Sequence, residues 1–336
     1  MMTGRLYIDG KDAYTVYGVY VEDSGWNELV AFPPLKSVEV NDWHEEDGTE
    51  PDLSEPVLDT RTVSINFALT YAYSRYFALI QALSDGAYHT FDCTHIQRTY
   101  RLRLVGVGSF AAADILGEVT LKFADDFPLD GYKYRDPHST IIPNDRFQID
   151  GVPLSDYGLH ILQGSLSEIV KTPEVKTNLL RDIQSQQGAQ YDAQRVTYKA
   201  KDVKLSCLMR AESLEELWRN YDALLYNLIR PEERLLWVDD LEREFPCYYK
   251  QCNVTQFYPE NRIWLQFDLT LTFFRDLRIT DDDMVLASED NIIIFTEDGN
   301  FAIEMLPDRY KYPSFRFVNS NATLRLTGNK DIRFNN

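Results

Sequence analysis

Residue types that build disulfide, metal and membrane-spanning structures are scarce in this chain. Its 336 residues include four cysteines and five histidines, and so few cysteines do not make a disulfide framework. No stretch approaches about 18 consecutive apolar residues, so we expect no membrane-spanning helix and no membrane partner. The first six residues lack the apolar core of a signal peptide, and we expect a chain made in the cytoplasm and not secreted by such a signal.

Basic charge is also in short supply. Lysine and arginine total 34 against 53 aspartates and glutamates, which gives a net charge of −19. Binding of nucleic acid through counterion release needs a basic face. The charge balance therefore makes this chain a poor candidate for general binding of nucleic acid, whereas an acidic surface beside DNA would keep the DNA from sticking.

The motifs of common enzyme families are missing as well: the chain has no HExxH, GxSxG, Walker A or kinase signature. Gly106–Ala111 matches the form of the dinucleotide-binding fingerprint. Only about eight residues separate the flanking strands, which predicts a β-hairpin rather than the crossover that a dinucleotide site needs. We expect no catalytic residue and no cofactor.

Metal binding is not favoured either. A set of cysteines and histidines could be drawn together as ligands, namely Cys93, Cys247, Cys252, His89 and His95. The spacing of 247 and 252 is loose for zinc and no second close pair exists. Cys207 falls on the buried face of a predicted strand, where a thiol usually acts as a small apolar group. We expect no metal site.

What the chain does have is an internal repeat. Ile8-Asp9-Gly10 returns as Ile149-Asp150-Gly151, and Tyr17-Gly18 returns as Tyr157-Gly158. From the tyrosine onward, further identical residues recur 140 positions later: Pro33 and Pro173, Lys36 and Lys176, Asp42 and Asp182, Gly48 and Gly188, Asp52 and Asp192, Val63 and Val203. This period is too long for a solenoid unit, so each copy is expected to be a domain.

Each copy shows the same order of predicted elements. In the first, residues 16–21 and 36–43 are predicted strands, 22–35 a loop, 61–69 an alternating strand, and Tyr76–Leu83 a helix with Ser74 as N-cap. In the second, an alternating strand at 203–209 precedes a helix with Ser213 and Glu216 as its capping box. The closing strands, 119–123 and 269–273, match at an offset of 150.

These patterns predict an α+β fold that is mainly β. We expect two tandem homologous β-barrel or sandwich domains, each with one flanking helix, and a small β-rich C-terminal extension. The expected boundaries are 1–127, a linker at 128–146, 147–277, and an extension at 278–336. Within the extension, short β segments are predicted at 292–296, 301–305, 314–318 and 323–334.

The loop at 44–60 is the candidate assembly site of the first copy. It is long, predicted to be exposed, and rich in acids: Glu45, Glu46, Asp47, Glu50, Asp52 and Glu55. Its counterpart at 184–200 holds basic residues instead, namely Arg195 and Lys199, with Lys201 just beyond. Because the two loops differ in charge, we expect them to face different neighbours.

The element order and short motifs resemble the distal tail and tail-tube family of tailed bacteriophages. The resemblance rests on Phe147–Gly151 with Ser155–Leu159, on Gln187-Gly188 with Tyr191-Asp192, and on their counterparts in the first copy, and it leaves out the tail after residue 277. It implies a virion tail protein, made in the bacterial host, whose domains form a ring around the channel for DNA. Two copies in one chain look more like baseplate hub proteins.

That resemblance also implies partners. The chain would assemble with itself, as a trimer of pseudo-sixfold symmetry or as a hexamer, and with other tail or baseplate proteins, while DNA passes without specific binding. Two other interpretations stay open. One is a carbohydrate- or cell-surface-binding β protein that stacks sugars on Tyr20, Trp26 and Trp43. The other is a hydrolase that uses acid pairs such as Glu45-Glu46 or Asp239-Asp240.

Overall fold

The structure of the chain is a computed structural model. It covers residues 3–70, 73–113, 116–141, 143–177, 180–182, 184–191, 196–275 and 277, with four short strands beyond. Residues 1–278 form one compact unit and 279–336 a second. In the second unit, Glu304–Met305 pairs with Phe315–Arg316, and Arg325–Leu326 pairs with Lys330–Asp331. The segment predicted at 292–296 lies outside the described residues.

The first half of the large unit is built on one antiparallel sheet. Its strands are β1 (Tyr7–Ile8), β2 (Lys11–Asp12), β3 (Val19–Val21), β6 (Arg61–Thr70), β7 (His89–Cys93), β8 (Arg98–Ala113) and β9 (Leu116–Asp125), and a separate pair is formed by β4 (Val40–Asn41) and β5 (Glu50–Pro51). The order across the sheet is β2-β1-β7-β8-β9-β6-β3. The long alternating strand β6 lies inside the sheet because Val63, Ile65 and Phe67 all point into the core.

The second half repeats this strand order. Its strands are β10 (Phe147–Ile149), β11 (Val152–Pro153), β12 (Leu159–Ile161), β15 (Lys201–Ala211), β16 (Arg234–Val238), β17 (Arg243–Tyr258) and β18 (Ile263–Phe273), with the separate pair β13 (Leu180–Asp182) and β14 (Ala189–Tyr191). The order is β11-β10-β16-β17-β18-β15-β12. The chain is therefore mainly β, as the sequence predicts, while the proposed domain boundaries stay a prediction.

The predicted offset of 150 between the closing strands is wrong by two residues. Val63 lies opposite Phe123 in the first sheet, and Val203 lies opposite Leu271 in the second. Phe123 and Leu271 are 148 positions apart. A shift of two keeps every side chain on the same face of a strand, so an alternating pattern cannot detect it.

Within the described residues, five helices accompany the sheets: α1 (Ala13–Tyr17), α2 (Asn27–Val30), α3 (Tyr73–Leu83), α4 (Ser165–Val170) and α5 (Leu214–Leu228), with 3-10 turns at Asp23–Trp26, Leu154–Tyr157 and Asp239–Leu241. The cap of α5 is confirmed, since Ser213 Oγ accepts a hydrogen bond from the Glu216 amide at 3.1 Å. The cap at Ser74 is wrong, because α3 already begins at Tyr73.

The strand predicted at 16–21 is only half correct. Asp12 accepts from the Thr15 amide at 2.7 Å and starts α1, and Gly18 ends it at φ 66. These two caps impose a helical turn on a stretch whose β-branched residues favour a strand. The predicted loop at 22–35 likewise contains α2, which lies over the second half of the chain.

Candidate assembly surface

Two arms leave the sheets at equivalent places. The first arm is residues 35–58 and carries β4–β5, and the second arm is residues 175–198 and carries β13–β14. At their bases, Leu35 bridges to Leu58 and Val175 bridges to Tyr198. The register also agrees, because Val40 faces Pro51 and Leu180 faces Tyr191. The two arms are thus the same hairpin, 140 residues apart.

The tip of the first arm is bound to the second half of the chain. The amide of Gly48 donates to the Tyr198 carbonyl at 2.7 Å, and the amide of Thr49 donates to the Phe274 carbonyl at 2.8 Å. In return, the Tyr198 amide donates to Asp47 Oδ1 at 2.9 Å. Main-chain bonds of this kind fix the position of the tip while demanding little of the side chains.

The side chain of Lys176 stabilises the same contact through hydrogen bonds to the first arm. Its ammonium donates to Asp42 Oδ1 at 2.6 Å, to the Trp43 carbonyl at 2.8 Å and to the Gly48 carbonyl at 2.6 Å. These three acceptors match the three N–H bonds of a lysine. The residue is only 3% exposed. A buried cation is stable here because every donor is paired and one partner is a carboxylate.

Gly48 must be a glycine for two reasons. Its φ is +74°, in the left-handed region that residues with a Cβ rarely adopt. A Cβ at this position would also overlap the carbonyl oxygen of Phe274. The tip therefore approaches the second half as closely as a backbone allows.

Nearer the sheet, α2 and the residues after it pack on β17 and α5. Phe32 stacks on Tyr221 with ring centroids 3.9 Å apart. The Tyr221 hydroxyl donates to the Val30 carbonyl at 3.0 Å, and the Tyr249 hydroxyl donates to the Pro33 carbonyl at 2.8 Å. The contact thus has an apolar centre whose polar atoms are paired, which is typical of a specific interface.

A partly buried ion pair extends this contact along α5. Arg98 on β8 bonds Asp222 at 2.5 Å and lies over the Trp218 ring at 4.2 Å. The Trp218 indole donates in turn to the Ile96 carbonyl at 2.6 Å. Burial raises the pKa of the Asp222 carboxyl, and the guanidinium of Arg98 opposes that shift. Contacts from the first half therefore reach α5 at Trp218, Tyr221 and Asp222.

The second arm ends differently. Gly188 has a φ of +79°, close to that of Gly48, yet no atom lies within 4 Å of where its Cβ would be. Residues 184–189 are exposed. Lys36, the counterpart of Lys176, is also exposed, and its ammonium contacts no acceptor among the described residues. The tip of the second arm and the lysine of the first half both face solvent.

The acids of the candidate assembly loop divide into two groups. Five of them are exposed: Glu45, Glu46, Glu50, Asp52 and Glu55. Asp47 is half-buried and bound to Tyr198. Asp52 accepts from the Ser54 hydroxyl and amide, which lowers its pKa. The loop is therefore anchored at its tip and presents carboxylates outward, and their role in assembly stays a prediction.

The described basic residues of the second loop form their contacts with residues of the second half. Lys199 bonds Glu174 at 3.1 Å. Lys201 donates to the carbonyls of Ile169 and Lys171 at the end of α4, and burial lowers its pKa to about 8. Arg195 lies outside the described residues.

The other candidate sites have structural explanations in the described part of the chain. Gly106–Ala111 lies on β8, which pairs with β9 as an antiparallel hairpin, as predicted. Among the described residues, no three His, Cys, Asp or Glu side chains converge as metal ligands. Burial raises the pKa of the thiols, that of Cys252 to about 12. Asp240, from the second acid pair, bonds Arg146 at 2.6 Å.

The sugar-stacking hypothesis loses one of its aromatic residues. Trp26 is 4% exposed and cannot stack on a ligand from solvent, whereas Trp43 is 52% exposed. Its indole donates to Glu50 at 3.0 Å, which fixes the ring on the first arm.

In the stretches that the structure describes, no helix is long and apolar enough to cross a membrane.

The comparisons with known proteins include a loose likeness to a solved structure. No protein-family model matches the sequence, and no curated protein matches it either. A crystal structure of the Dit protein (gp 19.1) of phage SPP1, described as a paradigm of the hub adsorption apparatus in phages that infect Gram-positive bacteria, is 13% identical. The match covers 80% of this chain and 98% of that one at a TM-score of 0.30. The function of this chain has to be inferred from its own contacts.

Proposed function

We propose that this protein is a non-enzymatic structural subunit of a phage tail, or of a related injection machine, that builds a ring or hub by self-assembly. It would be a virion component whose two tube-like copies each supply one segment of the ring. DNA would pass through the channel without specific binding, and other tail or baseplate proteins would stack above and below.

The observation that carries this proposal is the contact between the two halves. The first half uses its arm and α2, while the second half offers β17, α5 and Lys176. Two similar sheets thus meet through different surfaces, head to tail. A heterologous contact between like units continues from unit to unit, and it closes into a ring when the rotation allows.

Two features of the sequence support the same function. The motifs at 147–159 and 187–192, with their counterparts in the first copy, resemble the distal tail and tail-tube family. The net charge of −19 suits a channel wall, because a negative surface repels the phosphate backbone and prevents DNA from adhering.

The size of the full-length protein in solution tests the proposal. Mass photometry and negative-stain imaging over rising protein concentration are expected to show discrete rings with an even number of sheets, as three or six chains would give. A strict monomer at all concentrations would overturn the proposal.

Exposed Trp43 favours one alternative, a carbohydrate- or cell-surface-binding protein. Its ring stands on an arm beside acidic residues, where a sugar could stack. Glycan-array binding that is lost in Trp43→Ala, from a protein that stays monomeric, would favour this alternative over ring assembly.

A further inference from the structure

We infer that the second arm and α4 of one copy dock on β8 and Lys36 of the next copy, in the same way as the first arm and α2 dock on the second half within one chain. This inference rests on the proposed self-assembly and specifies the contact that carries it. The chain itself shows the template of the contact, and both of its surfaces recur elsewhere on the same molecule.

The receiving face of the first half can be located from strand register. Tyr249 faces Leu271, with a bulge before Gln251. Leu104 faces Phe123, with a bulge before Gly106. The two bulges fall at the same place in the two sheets. On this register Lys250 corresponds to Val105, and Cys252 corresponds to Val107.

These corresponding positions differ in what covers them. The Lys250 carbonyl accepts from the Leu35 amide at 2.9 Å, and Cys252 lies beside Tyr221 under the first half. Val105 and Val107 are 54% and 46% exposed. Phe77 on α3 is 63% exposed. The Lys250 side chain is itself exposed, so the contrast lies between Cys252, which is partly covered in the second half, and Val107, which faces solvent in the first.

The docking side shows the same contrast. Val30 on α2 is 4% exposed because it packs on the second half, while Val170, its counterpart on α4, is 42% exposed. A second copy of the chain offers the surface that Val30 already finds within its own chain.

The polar part of the template is also kept. Lys176, Asp42 and Gly48 make the contact within the chain, and Lys36, Asp182 and Gly188 occupy the corresponding positions. Lys36 of the next copy would donate to Asp182 and to the main chain at Gly188. The left-handed backbone of Gly188 already matches that of docked Gly48.

Docking of the second arm's tip would require a residue without a Cβ at position 188. If it approaches a neighbouring carbonyl as Gly48 approaches Phe274, an added Cβ blocks docking. Gly188→Ala is therefore expected to raise the concentration for half-assembly at least about 30-fold. Gly151→Ala is the matched control, because Gly151 has a φ of +77° and equally open surroundings. It should assemble like the wild type.

The charge pair gives a test that does not depend on packing. Lys36→Glu or Asp182→Lys alone is expected to prevent assembly, and the double variant is expected to restore it, with Lys11→Glu as the exposed-lysine control. Thermal melting of every variant checks that the chain stays folded. Rings that form equally well in Gly188→Ala and Lys36→Glu would overturn this contact while leaving self-assembly intact. A wild-type protein that never assembles would overturn both.

Discussion

The two arms are the same hairpin in two situations. The first arm is docked, with Gly48 against the Phe274 carbonyl and Lys176 buried beneath it. The second arm has the same pairing and the same left-handed glycine, but Gly188 meets no atom. The chain therefore contains one arm that makes this contact and one arm that does not. The comparison teaches that identical residues can be structural in one copy and exposed in the other.

The largest expected difference in the free energy of unfolding lies between substitutions of Lys176 and of Lys36. Lys176→Met leaves Asp42 and two carbonyls without their cation, and should lower the free energy of unfolding by about 3–5 kcal/mol. Lys36→Met should change that of the monomer by less than about 0.5 kcal/mol, because its ammonium is exposed. Urea unfolding at low protein concentration measures both. Equal losses would show that the two arms are not in different situations.

The second largest difference in stability is expected between alanine substitutions of the two glycines, Gly48 and Gly188. Gly48→Ala is expected to cost about 2–4 kcal/mol, because a left-handed Cβ and a carbonyl overlap act together. Gly188→Ala is expected to cost only about 1 kcal/mol, since the backbone alone is strained. The same unfolding measurement tests this pair, and a larger loss at 188 would contradict the docked and open assignments.

Alkaline pH should distinguish the halves through their thiols. Burial raises the pKa of Cys207, Cys247 and Cys252 in the second half, and of Cys93 in the first. Below the ordinary thiol pKa near 9 both states are protonated, and above it only the unfolded state loses the proton. Stability should therefore fall as pH rises from about 9 to 10, with a limiting slope of about 1.4 kcal/mol per pH unit for each thiol.

The cysteines can be tested one half at a time. Cys207→Ala with Cys247→Ala should flatten the pH dependence of unfolding more than Cys93→Ala does, because two titrating groups are removed instead of one. Guanidinium unfolding at pH 8, 9 and 10 measures the slopes. An unchanged slope in the double variant would rule out the thiols as its cause.

The smallest expected difference lies at the starts of the two long helices. Ser213→Ala removes the cap of α5 and should cost about 1 kcal/mol. Ser74→Ala should cost less than about 0.5 kcal/mol, since α3 begins one residue earlier, at Tyr73. Thermal melting compares them, and a larger effect at Ser74 would reverse the assignment.

Much of this fold could be predicted from residue patterns. Alternation identified β6 and β15, and the capping box identified the start of α5. The helix α1 was missed because its two caps act against the β-branched residues between them. The offset of 148 was missed because a shift of two residues leaves the same face apolar.

The docking contact itself could not be predicted. The acceptors for the tip amides of Gly48 and Thr49 are the main-chain carbonyls of Tyr198 and Phe274, which any residue offers. The sequence does contain Lys36 with Lys176 and Gly48 with Gly188, but identity cannot tell which member of a pair is buried. That difference arises only because one half of the chain covers the other.

The central claim is that the contact within one chain recurs, head to tail, between chains. The most direct measurement is native mass spectrometry of an equimolar mixture of Lys36→Glu and Gly188→Ala chains. In this mixture, the second arm of the Lys36→Glu chain is intact and Lys36 of the other chain is intact, so one contact can form and no further one. We predict a heterodimer as the largest species. Full rings, or monomers alone from a wild type that assembles, would contradict the claim.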